Sequence, residues 1–300
     1  MKKNIKLFCI VFFMWLLSFP QMQAEASKSA VCETLKPSKT YYYNLDKKGK
    51  KEKIKYTLKK SDSKSSSAYD YTAIVSINGK QVYKKTLKGF YDIPFLIMVT
   101  DTNANDNQME LMIMESKGGF NDVWYSDIDN LYYYQYKNGK AVRKQNLASL
   151  YRKNIKSDSP ENMLETQIHG MKAKSYLTVS GKGELYARIC FYHSNFNFIH
   201  LKGKLKLKNG KFKFLAKELN ILDTKTADNL YLALKDTNVY TKPGGNKKAY
   251  IIKAGEYIDP YAIHLTSKGK IYLKVRNSKG KTGYIDPSKV SIQLRGTHHA

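Results

Sequence analysis

The segment from Asp101 to Ile113, DTNANDNQMELMI, sets Asp101, Asn103, Asn105, Asp106 and Glu110 just ahead of a strand-like run. Alternating side-chain oxygens closed by a glutamate are how a loop rings a hard divalent cation such as calcium. An earlier segment from Asn44 to Tyr56, NLDKKGKKEKIKY, repeats the layout, with Gly49 for the sharp turn and Glu52 near its end. There Lys48 occupies a ligand position, where its ammonium would repel the cation. The second loop is therefore the candidate calcium site. An Asx-rich β-turn, whose side chains hydrogen-bond their own backbone, gives the same text. Both readings stay open at this point.

Nucleophilic and zinc chemistry find less footing. A Cys–His hydrolase needs a thiolate at a helix start with a histidine beside it. Cys190 and His193 instead fall three apart in strand-like text, which turns them to opposite faces. Cys32 lies in AVCETLK, and His169, His193 and His200 form no helical pair of the kind that binds zinc. Gly280-Lys281-Thr282 has the end of a phosphate loop without its upstream glycine. The expectation is a protein with no catalytic residues.

The elements that must position any site are strands. Ile54-Lys55-Tyr56-Thr57-Leu58-Lys59, Leu205-Lys206-Leu207-Lys208 and Tyr272-Leu273-Lys274-Val275-Arg276 alternate apolar and polar residues, the period of a half-buried strand. Three Asn-Gly-Lys triplets, at Asn78, Asn138 and Asn209, stand between such runs. Asn-Gly suits a two-residue type I′ hairpin, whose central residues both need positive φ. The spacing of the three fits either an irregular repeat of multi-stranded units or independent hairpins. The polar stretch DTKTADN, residues 223–229, reads as a linker between a first region, 27–222, and a C-terminal module, 230–292, with 293–300 as a tail.

Lys2, Lys3 and Lys6 precede an apolar run from Leu7 to Phe19, and Ala24-Glu25-Ala26 follows, which reads as a cleaved signal peptide over residues 1–24. A membrane-spanning helix needs about 20 apolar residues, and this run is shorter. No transmembrane segment is expected after cleavage, and no cysteine directly follows the run to carry a lipid. Loss of residues 1–24 removes three lysines and no acid, lowering the net charge from +27 to +24. Such a field attracts polyanions. Export selects wall teichoic acids and anionic headgroups over any specific nucleic acid. Cys32 and Cys190 survive processing, and one pair in so long a chain is no disulfide scaffold. Whether they pair stays open.

The succession YYYNLDKKGKKEKIKYTL, VSINGK, MVTDTNANDNQMELMIM and YYYQYKNGKAVRK, within residues 37–150, resembles the FG-GAP/VCBS-type repeats of secreted bacterial proteins, relatives of the integrin α-subunit head. The resemblance implies propeller-like β units with calcium loops between strands. NVYTKPGGNKKAYIIKAGEYID and IYLKVRNSKGKTGYID, within 230–292, resemble the bacterial Src-homology-3 domain, a small barrel common in cell-wall-associated proteins. Ile271 stands where that family often has tryptophan. The second resemblance implies wall peptides or glycans as ligands, docked on exposed aromatics, for which Tyr240, Tyr261 and Tyr272 are the candidates. Lys242, Lys247, Lys248 and Lys253 would add attraction to wall phosphates.

The expected fold is therefore all-β, a propeller-like or irregular multi-sheet region followed by a small SH3-like barrel. The expected function is secreted, non-catalytic binding at the bacterial cell wall or surface, with peptidoglycan and teichoic acids as partners. A cryptic peptidoglycan hydrolase or peptidase and a host- or neighbour-cell ligand-binding protein are the alternatives.

Overall fold

The computed structural model describes residues 32–63, 68–116, 126–155, 163–166, 177–193, 197–222, 231–267, 270–290 and 292–294. The expected signal peptide, the linker at 223–229 and most of the tail lie outside the described residues, as do His169 and the side chains of Cys190 and His193. The pairing of Cys32 with Cys190 lies outside them too. The chain is all-β, built from antiparallel sheets.

The first region is layered. After the short strand β1 (Cys32–Thr34), a meander of β2 (Thr40–Tyr43), β3 (Glu52–Asp62), β4 (Tyr69–Ile77) and β5 (Lys80–Phe90) forms a four-stranded sheet. Its alternation buries one face: Ile54 and Tyr56 of β3 with Ala73, Val75 and Ile77 of β4. That face packs on a second sheet, in which β1, β6 (Phe95–Thr100), β7 (Glu110–Ser116), β8 (Ser126–Lys137) and β9 (Lys140–Asn146) are neighbours in that order. Ile97, Val99, Leu111, Ile113, Tyr134 and Tyr136 meet the meander. Met98, Met112, Met114, Leu131 and Tyr133 point the other way into a second core. Strand β7 is consequently buried along its whole length, which is why its text, ELMIMES, runs apolar without alternation.

The second sheet continues from β8 through β10 (Met163–Thr166) to β12 (Glu184–His193), β13 (Asn197–Lys208) and β14 (Lys211–Phe214), with β11 (Leu177–Val179) on β12. The second core is enclosed by α1 (Leu147–Asn154) with β11, β12, β13 and β14. Asn146 caps α1, its side chain accepting from the N–H groups of Ala148 and Ser149, the usual means of satisfying a helix start. Tyr151 of α1 reaches Gly203 of β13. A Cβ there would stand 2.3 Å from Cδ1 of Ile189 and 2.6 Å from the Tyr151 ring, so glycine is what admits the helix. All three Asn-Gly pairs have positive φ at both residues. They close the β4–β5, β8–β9 and β13–β14 hairpins.

The C-terminal sheet contains β15 (Glu218–Asn220), β16 (Tyr231–Ala233), β17 (Thr237–Tyr240), β18 (Lys248–Ile252), β19 (Tyr257–Leu265), β20 (Ile271–Arg276), β21 (Thr282–Ile285) and β22 (Ile292–Leu294). Its order is β18-β17-β21-β20-β19-β16-β22, with β15 on the other end of β19.

Two refinements of the expected fold follow. Among the described residues the first region has the irregular multi-sheet arrangement and no propeller, its two sheets packing face to face over a shared core. The C-terminal sheet is open and no barrel closes: β18 and β22 end its path, with no ladder between them among the described residues. Near the expected end of the first region, Glu218–Asn220 pair with the C-terminal sheet, while the Leu222 N–H donates to the His200 carbonyl of β13. Leu219 lies opposite Ile263, and Ile221 bridges back to Leu201 of β13.

Candidate functional site

The two oxygen-rich loops, far apart in sequence, meet in space. Each is closed by its glutamate: Glu52 accepts from the Leu45 N–H at 2.7 Å, and Glu110 from the Thr102 N–H at 3.0 Å. Each contains an Asx turn, Asp46 accepting from Lys48 N–H and Asp106 from Gln108 N–H, both at 3.0 Å. Asn44 donates to the Asn107 carbonyl, and its own carbonyl accepts from Met109 N–H. Gln108 donates to the Leu45 carbonyl, and the Lys47 ammonium lies 3.1 Å from Oδ2 of Asp106.

Both oxygens of Asp106 are engaged, one by the Gln108 N–H and one by the Lys47 ammonium. Among the described residues no three His, Cys, Asp or Glu side chains converge as a metal would require. Asn103 and Ala104 are instead stitched by backbone to Lys182 and Gly181 in the turn before β12. Burial pushes the Glu110 carboxyl up to about 7, with Asp106 and Asp101 adding to the shift and the Thr102 hydrogen bonds opposing it. The loops act as a brace between layers.

The residues nominated on the C-terminal module fare differently. Strand register sets Lys248 opposite Tyr240, Tyr240 opposite Tyr284, and Tyr284 opposite Lys274. Four side chains thus form one row across β18, β17, β21 and β20, spanning about 14 Å at the usual strand spacing. A bulge at Pro260–Ala262 leaves Tyr261 unpaired with β20. Such bulges re-aim side chains, and Tyr261 joins the same face, with Lys274 Nζ and the Arg276 guanidinium each 5.6 Å from its ring centre. Glu218 of β15 fastens the row: Lys274 donates to it at 2.8 Å and the Tyr284 hydroxyl at 2.9 Å, while His264 packs edge-on to Tyr284. Partial burial raises the Glu218 carboxyl, but the bonds from Lys274 and Tyr284 outweigh it and hold the group below its ordinary range. The bond to Glu218 raises Lys274 correspondingly.

Tyr272 shares that face but is buried beneath the turn after β17, its hydroxyl 2.8 Å from where a Cβ of Gly244 would be. It is a core residue, not a contact. Lys253 is exposed and paired with Asp236 at 2.7 Å. Lys247 is exposed, and Lys242 lines a cleft of about 730 Å³ against Phe214, Leu215 and His264. A second cleft, of about 600 Å³, adjoins Tyr261 through Arg276 and Asp259, and the exposed side chains of Ile251 and Tyr257 line it. Sequence reasoning missed Tyr284, Lys274, Arg276 and Glu218. The first was findable, since in TGYI the buried Gly283 and Ile285 flank an outward Tyr284. Compared with known protein families, curated proteins and solved structures, the chain has no match in any of the three.

Proposed function

We propose that the chain is a secreted, non-catalytic binding protein of the bacterial surface that holds cell-wall polymer on the outward face of its C-terminal sheet. The row Lys248–Tyr240–Tyr284–Lys274 carries this reading. Two neighbouring tyrosine rings with a cation at each end suit a ligand combining apolar sugar faces with carboxylates or phosphates. The cleft beside Arg276 offers concave space for a branch of the same ligand. The resemblance of residues 230–292 to the bacterial Src-homology-3 domain supports the same ligand class.

Binding to purified Gram-positive walls, with and without teichoic acid, across a salt series tests the reading. Lysine attraction is screened beyond about 10 Å at 0.1 M salt, whereas aromatic burial is not. The expected result is wall binding that survives high salt and is lost in Tyr240→Ala/Tyr284→Ala. Binding that vanishes at modest salt and ignores the double substitution would leave only generic charge attraction.

A further inference from the structure

We infer that the outward face of β12, β13 and β14 is a second binding site, for a linear polyol-phosphate chain. This face lies opposite the one that carries Gly203 and Tyr151. Lys202, Lys204, Lys206 and Lys208 alternate along β13 with the buried Leu201, Gly203 and Leu205. Lys211 and Lys213 of β14 lie directly opposite Lys208 and Lys206, and Arg188 of β12 lies opposite Lys202. Like charges therefore face each other at Lys202, Lys206 and Lys208, a pairing that destabilises a sheet, while Lys204 lies opposite Tyr186 and Lys206 has Glu184 on its β12 side. Glu184, bound to Lys204, is the acid on this part of the face. Lysines on the edge strand β14 keep that edge from pairing, but the row continues inward along β13, where the density of cations suits a polyanion. A polymer with regularly spaced negative charge would relieve the repulsion on binding.

The spacing selects the ligand. Alternate residues on a strand recur about every 6.6 Å. A phosphodiester recurring every six backbone bonds extends to about 7 Å, by the bond lengths that give a peptide about 3.5 Å per three bonds. Successive phosphates can thus meet successive lysines. Single-stranded nucleic acid has the same backbone period, but its binding also needs aromatic faces for base stacking. The tyrosine here, Tyr186, has Lys202 and Lys204 over its ring at 4.7 and 5.6 Å, and its hydroxyl donates to Glu184. Among the described side chains of this face, the ladder reads charge and leaves bases no free ring. Only the choice of a wall-type polymer rests on the extracellular reading above.

The test is binding of a defined polyglycerol phosphate to the full chain between 50 and 200 mM salt. The ladder variant is Lys202→Gln/Lys206→Gln/Lys208→Gln. The control, Lys55→Gln/Lys84→Gln/Lys88→Gln, removes as much charge from the meander. The ladder variant is expected to lose about tenfold or more in affinity at low salt, with a salt slope shallower by about two, as loss of three phosphate contacts implies. The control should change less than threefold. The ladder variant should melt no lower than the wild type, since it loses repulsive rungs. Equal losses in both variants would overturn the site, and so would a lower melting temperature. Tighter binding of an oligonucleotide of matched phosphate number would overturn the polymer. Salt-resistant binding of the ladder variant to walls stripped of teichoic acid, expected to match the wild type, separates the failure of this site from failure of the aromatic row.

Discussion

Two glutamates in this protein hold the same partners under opposite conditions. Glu115, on the doubly covered strand β7, accepts from the Tyr83 hydroxyl at 2.6 Å, from Lys85 at 2.6 Å and from Asn130 at 2.8 Å, and its side chain is 1% exposed. Glu218, on the C-terminal sheet, accepts from Tyr284 and Lys274, with its side chain 36% exposed. The chemistry is nearly identical, but water is not. Around Glu115, burial drives the Tyr83 hydroxyl far above its ordinary range, with help from the carboxylate. The group has no route to another partner, so it fixes the distance between the meander and the central sheet. Around Glu218, solvent competes for every bond, and the same trio can exchange partners. A Glu–Lys–Tyr cluster is a brace when dry and a contact surface when wet.

The largest effect should come from breaking the dry cluster. Glu115→Ala leaves the buried Tyr83 hydroxyl without its acceptor and removes the bonds from Lys85 and Asn130, hydrogen bonds to a charged group that contribute about 1.5–3 kcal/mol each. Urea unfolding should show that loss. A loss below about 1 kcal/mol would mean water reaches the site and the contrast with Glu218 is false.

A second effect concerns the boundary between the two regions. Leu219 and Ile221, buried against the C-terminal sheet, lie upstream of the expected linker. Burying each aliphatic side chain contributes about 1.5–3 kcal/mol. A fragment covering residues 217–294 should therefore unfold at distinctly higher denaturant than one covering 230–294. Equal midpoints would show that β15 belongs to the first region alone.

These elements were unequally legible in the sequence. The hairpins were plain because Asn-Gly carries its own backbone preference, whereas the double cover of β7 was not legible, since a short unbroken apolar run suits a buried helix as well. The joining of the two oxygen-rich loops was not, since it depends on how the meander folds over the central sheet. Nor was the cover over Tyr272, which is set by the turn at Gly244. Pro260, a residue that strands admit at bulges, marked the place where Tyr261 turns outward. Glu218 was hidden by distance, 56 residues from the lysine it binds and across the expected linker.

A third effect is pH dependence. The Glu110 carboxyl, raised by burial from 4.5 to about 7, is neutral in the folded state where the unfolded chain has already ionised it. Its contribution is fully present below about pH 4.5 and is lost as pH rises through 7, by about 3 kcal/mol. The difference in stability between wild type and Glu110→Gln should follow that window. A difference that stays flat from pH 4 to 8 would show that the carboxyl is hydrated, and that the loop pair is open like the C-terminal face.

The smallest effect tests the wet cluster and completes the comparison. Glu218→Gln keeps the shape and an acceptor for Tyr284 but removes the charge. Exposed ion pairs contribute about 0.2–1 kcal/mol, so stability near neutral pH should fall by no more than that. The sign with pH is opposite to Glu110. Lys274 and Tyr284 hold Glu218 below its ordinary range despite partial burial, so its stabilisation is present above about pH 4.5 and disappears as pH falls further. Binding should move the other way from stability. With Glu218 neutral, Lys274 is released from its carboxylate and can meet one on the ligand, so wall binding should strengthen at low salt and become more salt-dependent. A stability loss above about 2 kcal/mol, with wall binding unchanged, would make this cluster a brace like that at Glu115. The ligand face would then have to be sought in the cleft at Arg276, where Ile251 and Tyr257 stay exposed whatever Glu218 does.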